Sequence, residues 1–176
     1  NEKIKALLGA HIADSSESHA YIIEGPAGSG KSLIANAAAQ AMLCTGKGDT
    51  LPCNMCPACK KFLQGLSPDV LFLDKGDKQT IQVDSVRDFL SSMCYAPSDG
   101  DKKIYIIDEA DKMTPQAQNA LLLSLEEPPA YVRFILIAQD SLSLLPTIRS
   151  RAPVLQTQLF LPEQIADWLS NEVNIS

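Results

Sequence analysis

Gly25-Pro26-Ala27-Gly28-Ser29-Gly30-Lys31-Ser32 matches G-x-x-x-x-G-K-[ST] at every fixed position. Glycines let a backbone turn so tightly that successive N–H groups point inward at phosphate oxygens. A helix that follows adds its positive N-terminal end to the same pocket. The flanking residues supply that context. Ala20-Tyr-Ile-Ile-Glu24 is a short apolar run stopped by Gly25-Pro26, which reads as a buried strand. Lys31–Leu43 is rich in Ala and Leu and contains no Gly or Pro, which reads as a helix. In this setting Lys31 reaches the β- and γ-phosphates of a nucleotide, and the Ser32 hydroxyl binds Mg2+. The competing reading, a Gly-rich turn that matches by accident, does not account for the strand before and the helix after.

The same alternation continues downstream. Val70-Leu-Phe-Leu73 is a second strand, and Val83, Val86, Phe89 and Leu90 recur at helical spacing over roughly Asp84–Met93. Lys103-Ile-Tyr-Ile-Ile-Asp108 is apolar on both faces and therefore central in a sheet. Thr114 as N-cap and Pro115 at the first helical position start a helix that runs through Leu125 and stops at Glu126-Glu-Pro-Pro129. Arg133–Ala138 is a fourth strand. Strands alternating with helices predict an α/β fold, a parallel sheet covered on both faces. Gln164–Asn171 reads as the first helix of a further unit.

Asp108-Glu109-Ala110-Asp111 follows the third strand directly. A carboxylate at a strand's C-terminal end, beside a phosphate loop, stands where Mg2+ needs a second oxygen ligand. Asp108 fits that role, and Glu109 is placed to polarise an attacking water. An acidic strand-to-loop cap is the plainer alternative.

Composition narrows the class. The chain has 176 residues, 45% hydrophobic and 20% charged, the profile of an ordinary globular protein. Its longest apolar runs, Ile104–Ile107 and Phe134–Ala138, are strand-sized, so no membrane span is expected. A net charge of −6 argues against autonomous non-specific DNA binding, which needs a surplus of Lys and Arg. The chain opens on Asn1 and shows no signal peptide, so a trimmed piece of a longer protein is expected. Five cysteines, an odd number, point to a reducing cytoplasm rather than to disulfides.

Four of those cysteines, Cys44, Cys53, Cys56 and Cys59, follow the spacing C-x8-C-x2-C-x2-C. Tetrahedral zinc takes four thiolates, and C-x2-C sets two sulfurs on one metal across a tight turn. Structural zinc is the favoured reading, with iron–sulfur ligation left open. Lys47, Lys60 and Lys61 also make the segment a weaker candidate for nucleic-acid binding, though it has little aromatic surface for base stacking. Cys94, between Met93 and Tyr95, is expected to be a buried apolar residue.

A phosphate loop followed by a four-cysteine insertion of this spacing resembles the bacterial DNA polymerase III clamp-loader subunits, which belong to the AAA+ ATPases. His19-Ala-Tyr21, Tyr95-Ala-Pro97, Ala120-Leu-Leu-Leu-Ser-Leu-Glu-Glu-Pro-Pro129 and Ile148-Arg-Ser-Arg151 add to the likeness, which covers nearly the whole chain. It implies an AAA+ ATP-binding domain over residues 1–160, with a zinc module at about 44–63 inserted. A helical lid domain would begin at 161–176. It further implies ATP, Mg2+ and Zn2+ as cofactors, and Gln139 beside the nucleotide. Arg151 would act as an arginine finger on the ATP of a neighbouring subunit. The partners implied are other clamp-loader subunits in a hetero-oligomeric ring, the sliding clamp, and primed DNA through the assembled complex.

Two departures stand out. The family's Ser-Arg-Cys reads Ser150-Arg151-Ala152, and its sensor hydroxyl after the fourth strand is replaced by Ala138-Gln139. Ile81-Gln-Val-Asp-Ser-Val-Arg87 resembles the delta-prime type more than the gamma/tau type. Members in the delta-prime role often have degraded phosphate loops, whereas this loop is intact.

Overall fold

β1 (Ala20–Glu24) shows how the fold is assembled: Ala20 and Ile22 point into one apolar cluster, Tyr21 and Ile23 into another on the opposite side. Alternating apolar side chains on both faces require cover on both faces. The computed structural model describes residues 18–46 and 51–159. It places β1 inside a five-stranded parallel sheet of order β2-β3-β4-β1-β5. The others are β2 (Val70–Leu73), β3 (Lys103–Ile107), β4 (Val132–Ala138) and β5 (Val154–Gln156).

On one face α1 (Lys31–Leu43) lays Ile34, Ala35, Ala38, Ala39 and Met42 against Ile104, Ile106, Ile135 and Ile137. On the other, α3 (Val83–Ser91) and α4 (Pro115–Glu126) bring Val86, Phe89, Ala117, Leu121 and Leu125 to Tyr105, Phe134 and Leu136. Every residue of β3 and β4 is buried. The expected cap of α4 is in place, with Thr114 Oγ1 accepting the Ala117 N–H at 3.3 Å and Pro115 at the first position.

The structure adds three elements to the sequence reading. α2 (Pro57–Leu63) forms inside the cysteine segment, α5 (Pro146–Arg149) is a single turn, and β5 is a fifth strand. Among the described residues β5 pairs only with β1, as Ile22↔Val154 and Glu24↔Gln156, and it buries only Leu155. The helix expected at 84–93 ends at Ser91 and tightens into a 3-10 turn over Ser92–Cys94. That turn corrects one expectation: Cys94 is exposed, its Sγ donating to the Ser91 carbonyl rather than packing inside. The helix expected at Gln164–Asn171 and the lid domain lie outside the described residues, as does Lys47.

The connection from β1 passes over β4 and β3 to reach β2, and the chain then returns strand by strand. The C-terminal ends of β1, β3 and β4 therefore open on one crevice, the place where open α/β sheets bind ligands.

Candidate nucleotide site and metal centre

Gly25–Gly30 connect β1 to α1 at that crevice. Gly28 and Gly30 have φ of 77° and 80°, the left-handed region that glycine enters without strain. Gly30 is the N-cap of α1, so the tight turn and the helix start coincide. Lys31 Nζ donates to the Gly25 and Pro26 carbonyls at 2.6 and 2.7 Å, lying across the loop's mouth. Pro26 and Ala27 are exposed at the crest, while Ser29 is fully buried beneath it.

Ser32 Oγ donates to Asp108 Oδ2 at 3.4 Å, joining the first turn of α1 to the end of β3. Two oxygens on adjacent corners of a Mg2+ octahedron, with bonds of about 2.1 Å, stand roughly 3 Å apart, so this pair fits two neighbouring ligand positions. Asp108 Oδ1 accepts the Glu109 N–H at 2.8 Å, which holds the carboxylate in place. Glu109 has φ 49° and ψ 45°, an uncommon conformation for a residue with a side chain. Its carboxylate is 3.4 Å from Lys75 Nζ in a half-exposed ion pair.

Lys31, Ser32, Asp108, Glu109 and Gln139 all line one cleft of about 150 Å3, together with Asp111, Ile137 and Ala138. That volume suits a phosphate–metal group rather than a whole nucleotide. Asp111, to which the motifs assign no role, falls one short turn after Asp108 in the same acidic run. Its Oδ1 accepts the Gln139 N–H at 3.1 Å and so fixes the end of β4 against the turn after β3.

Arg151 is not brought to this cleft. It lies with Ser18 and His19, at the start of β1, in a separate open cavity of about 470 Å3. The phosphate loop leaves the other end of β1, and a five-residue strand is about 16 Å long. Arg151 Nη2 pairs with Glu126 Oε1 at 2.7 Å, and Nη1 donates to the Thr147 carbonyl at 2.8 Å.

The cysteines meet as a cage. The sulfurs of Cys44, Cys53, Cys56 and Cys59 all lie within 4.8 Å of one another, with Cys44 and Cys56 at 3.9 Å. A tetrahedron with Zn–S bonds of about 2.3 Å has edges of about 3.8 Å, whereas a disulfide would hold its sulfurs at about 2.05 Å. Backbone N–H groups of Gly46 and Cys53 point at the Cys44 sulfur, that of Cys56 at Cys53, and that of Cys59 at Cys56, all at 3.3–3.4 Å. The N–H of Cys59 holds the Cys56 thiol down at about 5, and that of Met55 lowers Cys53. Burial pushes the Cys59 thiol up to about 12. A divalent metal supplies the positive charge that this set lacks, so the four residues fit structural zinc. Gly46 is required by close approach: a Cβ there would stand 2.8 Å from the Cys53 sulfur. Gln40 on α1 donates to Asn54 Oδ1 at 3.0 Å and ties the cage to the main domain.

Comparison with known proteins agrees with this geometry. A family model for DNA polymerase III, delta subunit, matches residues 1–160. DNA polymerase III subunit tau of Salmonella typhimurium is 36% identical over 89% of this chain and 24% of its own length. DNA polymerase III subunit delta' of Pseudomonas aeruginosa is also 36% identical, over 86% of this chain and 47% of its own. The chain thus spans about half or less of the curated relatives it matches. A gamma subunit-related protein of Thermotoga maritima superposes with a TM-score of 0.69 at 23% identity, covering 97% of this chain and 51% of that one. The RuvB Holliday junction branch migration motor of the same organism gives 0.59 at 13% identity, over 97% and 49% of the two chains. With the P-loop sheet, the cysteine cage and these matches together, the chain belongs to the DNA polymerase III, delta subunit family, clamp-loader subunits built on the AAA+ fold.

Proposed function

We propose that this chain binds ATP as a subunit of the bacterial replicative clamp loader. There it helps to open the sliding clamp and load it onto primed DNA, in the delta-prime role. The observation that carries the reading is the Ser32–Asp108 pair at the foot of an intact phosphate loop. Lys31 and the loop N–H groups hold the phosphates, and Ser32 and Asp108 would hold Mg2+, which when bound neutralises charge on the β- and γ-phosphates. Glu109 orients the attacking water once its carboxylate is free of Lys75. Gln139 stands at the nucleotide's edge, held by Asp111.

Arg151 acts on the ATP of a neighbouring subunit, where its charge stabilises the transferring phosphoryl group. Its position at the far end of β1 supports action in trans, since it lies about a strand's length from its own loop. The partners are the other subunits of a hetero-oligomeric ring, the clamp and primed DNA, in the cytoplasm. Polymerisation chemistry belongs to other chains. The delta-prime role is supported by Ile81-Gln-Val-Asp-Ser-Val-Arg87, which resembles that type, and by delta' relatives at 35–36% identity.

A gamma/tau motor role is favoured by the unbroken loop and by the tau relatives. A scaffold that binds nucleotide without hydrolysing it is favoured by the Glu109–Lys75 pair and by Ala138-Gln139 at the sensor position. Reconstituting the complex with full-length subunits tests these together. Lys31→Ala is expected to abolish nucleotide binding at this site and slow clamp loading. Arg151→Ala is expected to leave binding here intact while lowering the neighbour's turnover by about a thousandfold or more. If Lys31→Ala changes neither ATP turnover nor loading while Arg151→Ala abolishes both, this subunit is the scaffold.

A further inference from the structure

The phosphate loop is gripped from behind by the residue that follows β5. The Thr157 N–H donates to the Glu24 carbonyl at 2.6 Å, and the Thr157 hydroxyl donates to the same oxygen at 3.0 Å. A threonine hydroxyl carries one proton, so this second bond leaves Oγ1 only as an acceptor. The 2.6 Å contact between Ser29 Oγ and Thr157 Oγ1 therefore has Ser29 as its donor. Ser29 is fully buried and Thr157 is 5% exposed, so water does not replace either bond readily.

Gly25 packs on the same hydroxyl. A Cβ at that position would collide with Thr157 Oγ1 and stand 2.8 Å from the Thr157 carbonyl oxygen. Both ends of the loop thus rest on one side chain. Thr157 itself does not line the cleft that holds Lys31, Ser32 and Asp108. It touches the back of the loop, and no phosphate contact is needed for it to matter.

We propose that Thr157 is a positioning residue for the phosphate loop, linking nucleotide in the loop to the end of β5 through the chain Ser29–Thr157–Glu24. The inference rests on the reading of the loop as an ATP site. When phosphates draw the loop N–H groups inward, Ser29 moves only as far as its hydrogen bond to Thr157 allows. The loop and the end of β5 therefore tighten or loosen as a unit. The relation joins residues 128 positions apart, so no local motif contains it.

The test uses the full 176-residue chain, with ATP binding followed by calorimetry and amide exchange followed at Thr157. Thr157→Val removes the hydroxyl that accepts from Ser29 and donates to the Glu24 carbonyl, and is expected to weaken ATP binding about tenfold, the worth of the buried bond that reaches the loop. Thr157→Ser keeps the hydroxyl and is expected to restore near wild-type binding. Ser29→Ala cuts the same bond from the loop side, and the double variant should lose less than the sum of the two single losses, because both singles include that shared bond. ATP should slow exchange of the Thr157 amide in the wild type and leave it unchanged in Thr157→Val. A Thr157→Val protein that melts earlier yet binds ATP like the wild type overturns the proposal, as do losses that add in the double variant. If the wild type itself fails to bind ATP, the ATP-site reading falls and takes the inference with it.

Discussion

Removing the metal from the cysteine cage should loosen one corner of the molecule and spare the sheet. Among the described residues, few side chains join the cage segment to the main domain. Phe62 on α2 packs, partly buried, against the cluster formed by α1 and the sheet, Gln40 bonds to Asn54, and Lys61 forms with Asp99 a solvent-exposed ion pair that adds little. A fully buried Phe contributes about 1.5–3 kcal/mol, so a half-buried one is worth about 1 kcal/mol. The Gln40–Asn54 bond adds about 1 kcal/mol more. A loss of about 2 kcal/mol in a domain of this size corresponds to a fall of roughly 4–8 °C in Tm. The segment itself, which has little apolar core, should lose its fixed structure because structural zinc contributes folding free energy directly.

A strong chelator, circular dichroism melts and thiol titration measure both effects. The metal-loaded protein should show one reactive thiol, exposed Cys94, and the chelated protein five. The sheet should still unfold cooperatively, a few degrees earlier. Loss of the cooperative transition on chelation would refute the modular account. So would five reactive thiols before any chelator is added, together with no bound metal.

Two further outcomes follow from the backbone and the core. Gly30→Ala forces a side chain into φ 80° at the N-cap of α1 and should cost about 1 kcal/mol of stability, read from denaturant melts, with a larger relative loss of ATP affinity. Asp69, 2% exposed, accepts the Ser98 and Asp99 N–H groups at 2.7 and 2.8 Å. Asp69→Ala should therefore cost about 2–3 kcal/mol in the same melts without changing ATP binding per folded molecule.

What the sequence revealed depended on how local the cause was. The phosphate loop, β1 and α1 are legible because strand, glycines and helix start lie within some twenty consecutive residues and the physics that links them is local. β3 and β4 are legible because continuous apolar runs need cover on both faces. β5 escaped because three residues with one buried side chain carry almost no periodicity, and their only reason to be a strand is the free edge of β1. α2 is hidden because the cysteine spacing of Cys56-Pro-Ala-Cys59 signals metal ligands, although Cys56 also caps that helix, its sulfur accepting the Cys59 N–H. The apolar neighbours Met93 and Tyr95 suggest a buried Cys94, but neighbours in sequence do not fix which way a side chain points. The 3-10 turn instead carries Met93 inward and Cys94 outward.

In the candidate sites the same rule holds. Lys31, Ser32, Asp108, Glu109 and the four cysteines come from short motifs, and the structure gathers each set. The ion pairs of Glu109 with Lys75 and of Arg151 with Glu126, and the grip of Thr157 on the loop, join residues far apart in sequence. Such contacts become visible only once the sheet order is known.

The claim on which the rest depends is that Ser32 and Asp108 hold Mg2+ for ATP seated in the loop. Titrating ATP against the wild type and Asp108→Asn, with Mg2+ and then with excess EDTA, tests it directly. The account predicts one ATP per chain, tighter binding with Mg2+ in the wild type, and loss of that Mg2+-dependent gain, about tenfold, in Asp108→Asn with the EDTA affinities equal. Wild-type affinity that ignores Mg2+, or an Asp108→Asn protein that keeps the full gain, would contradict it.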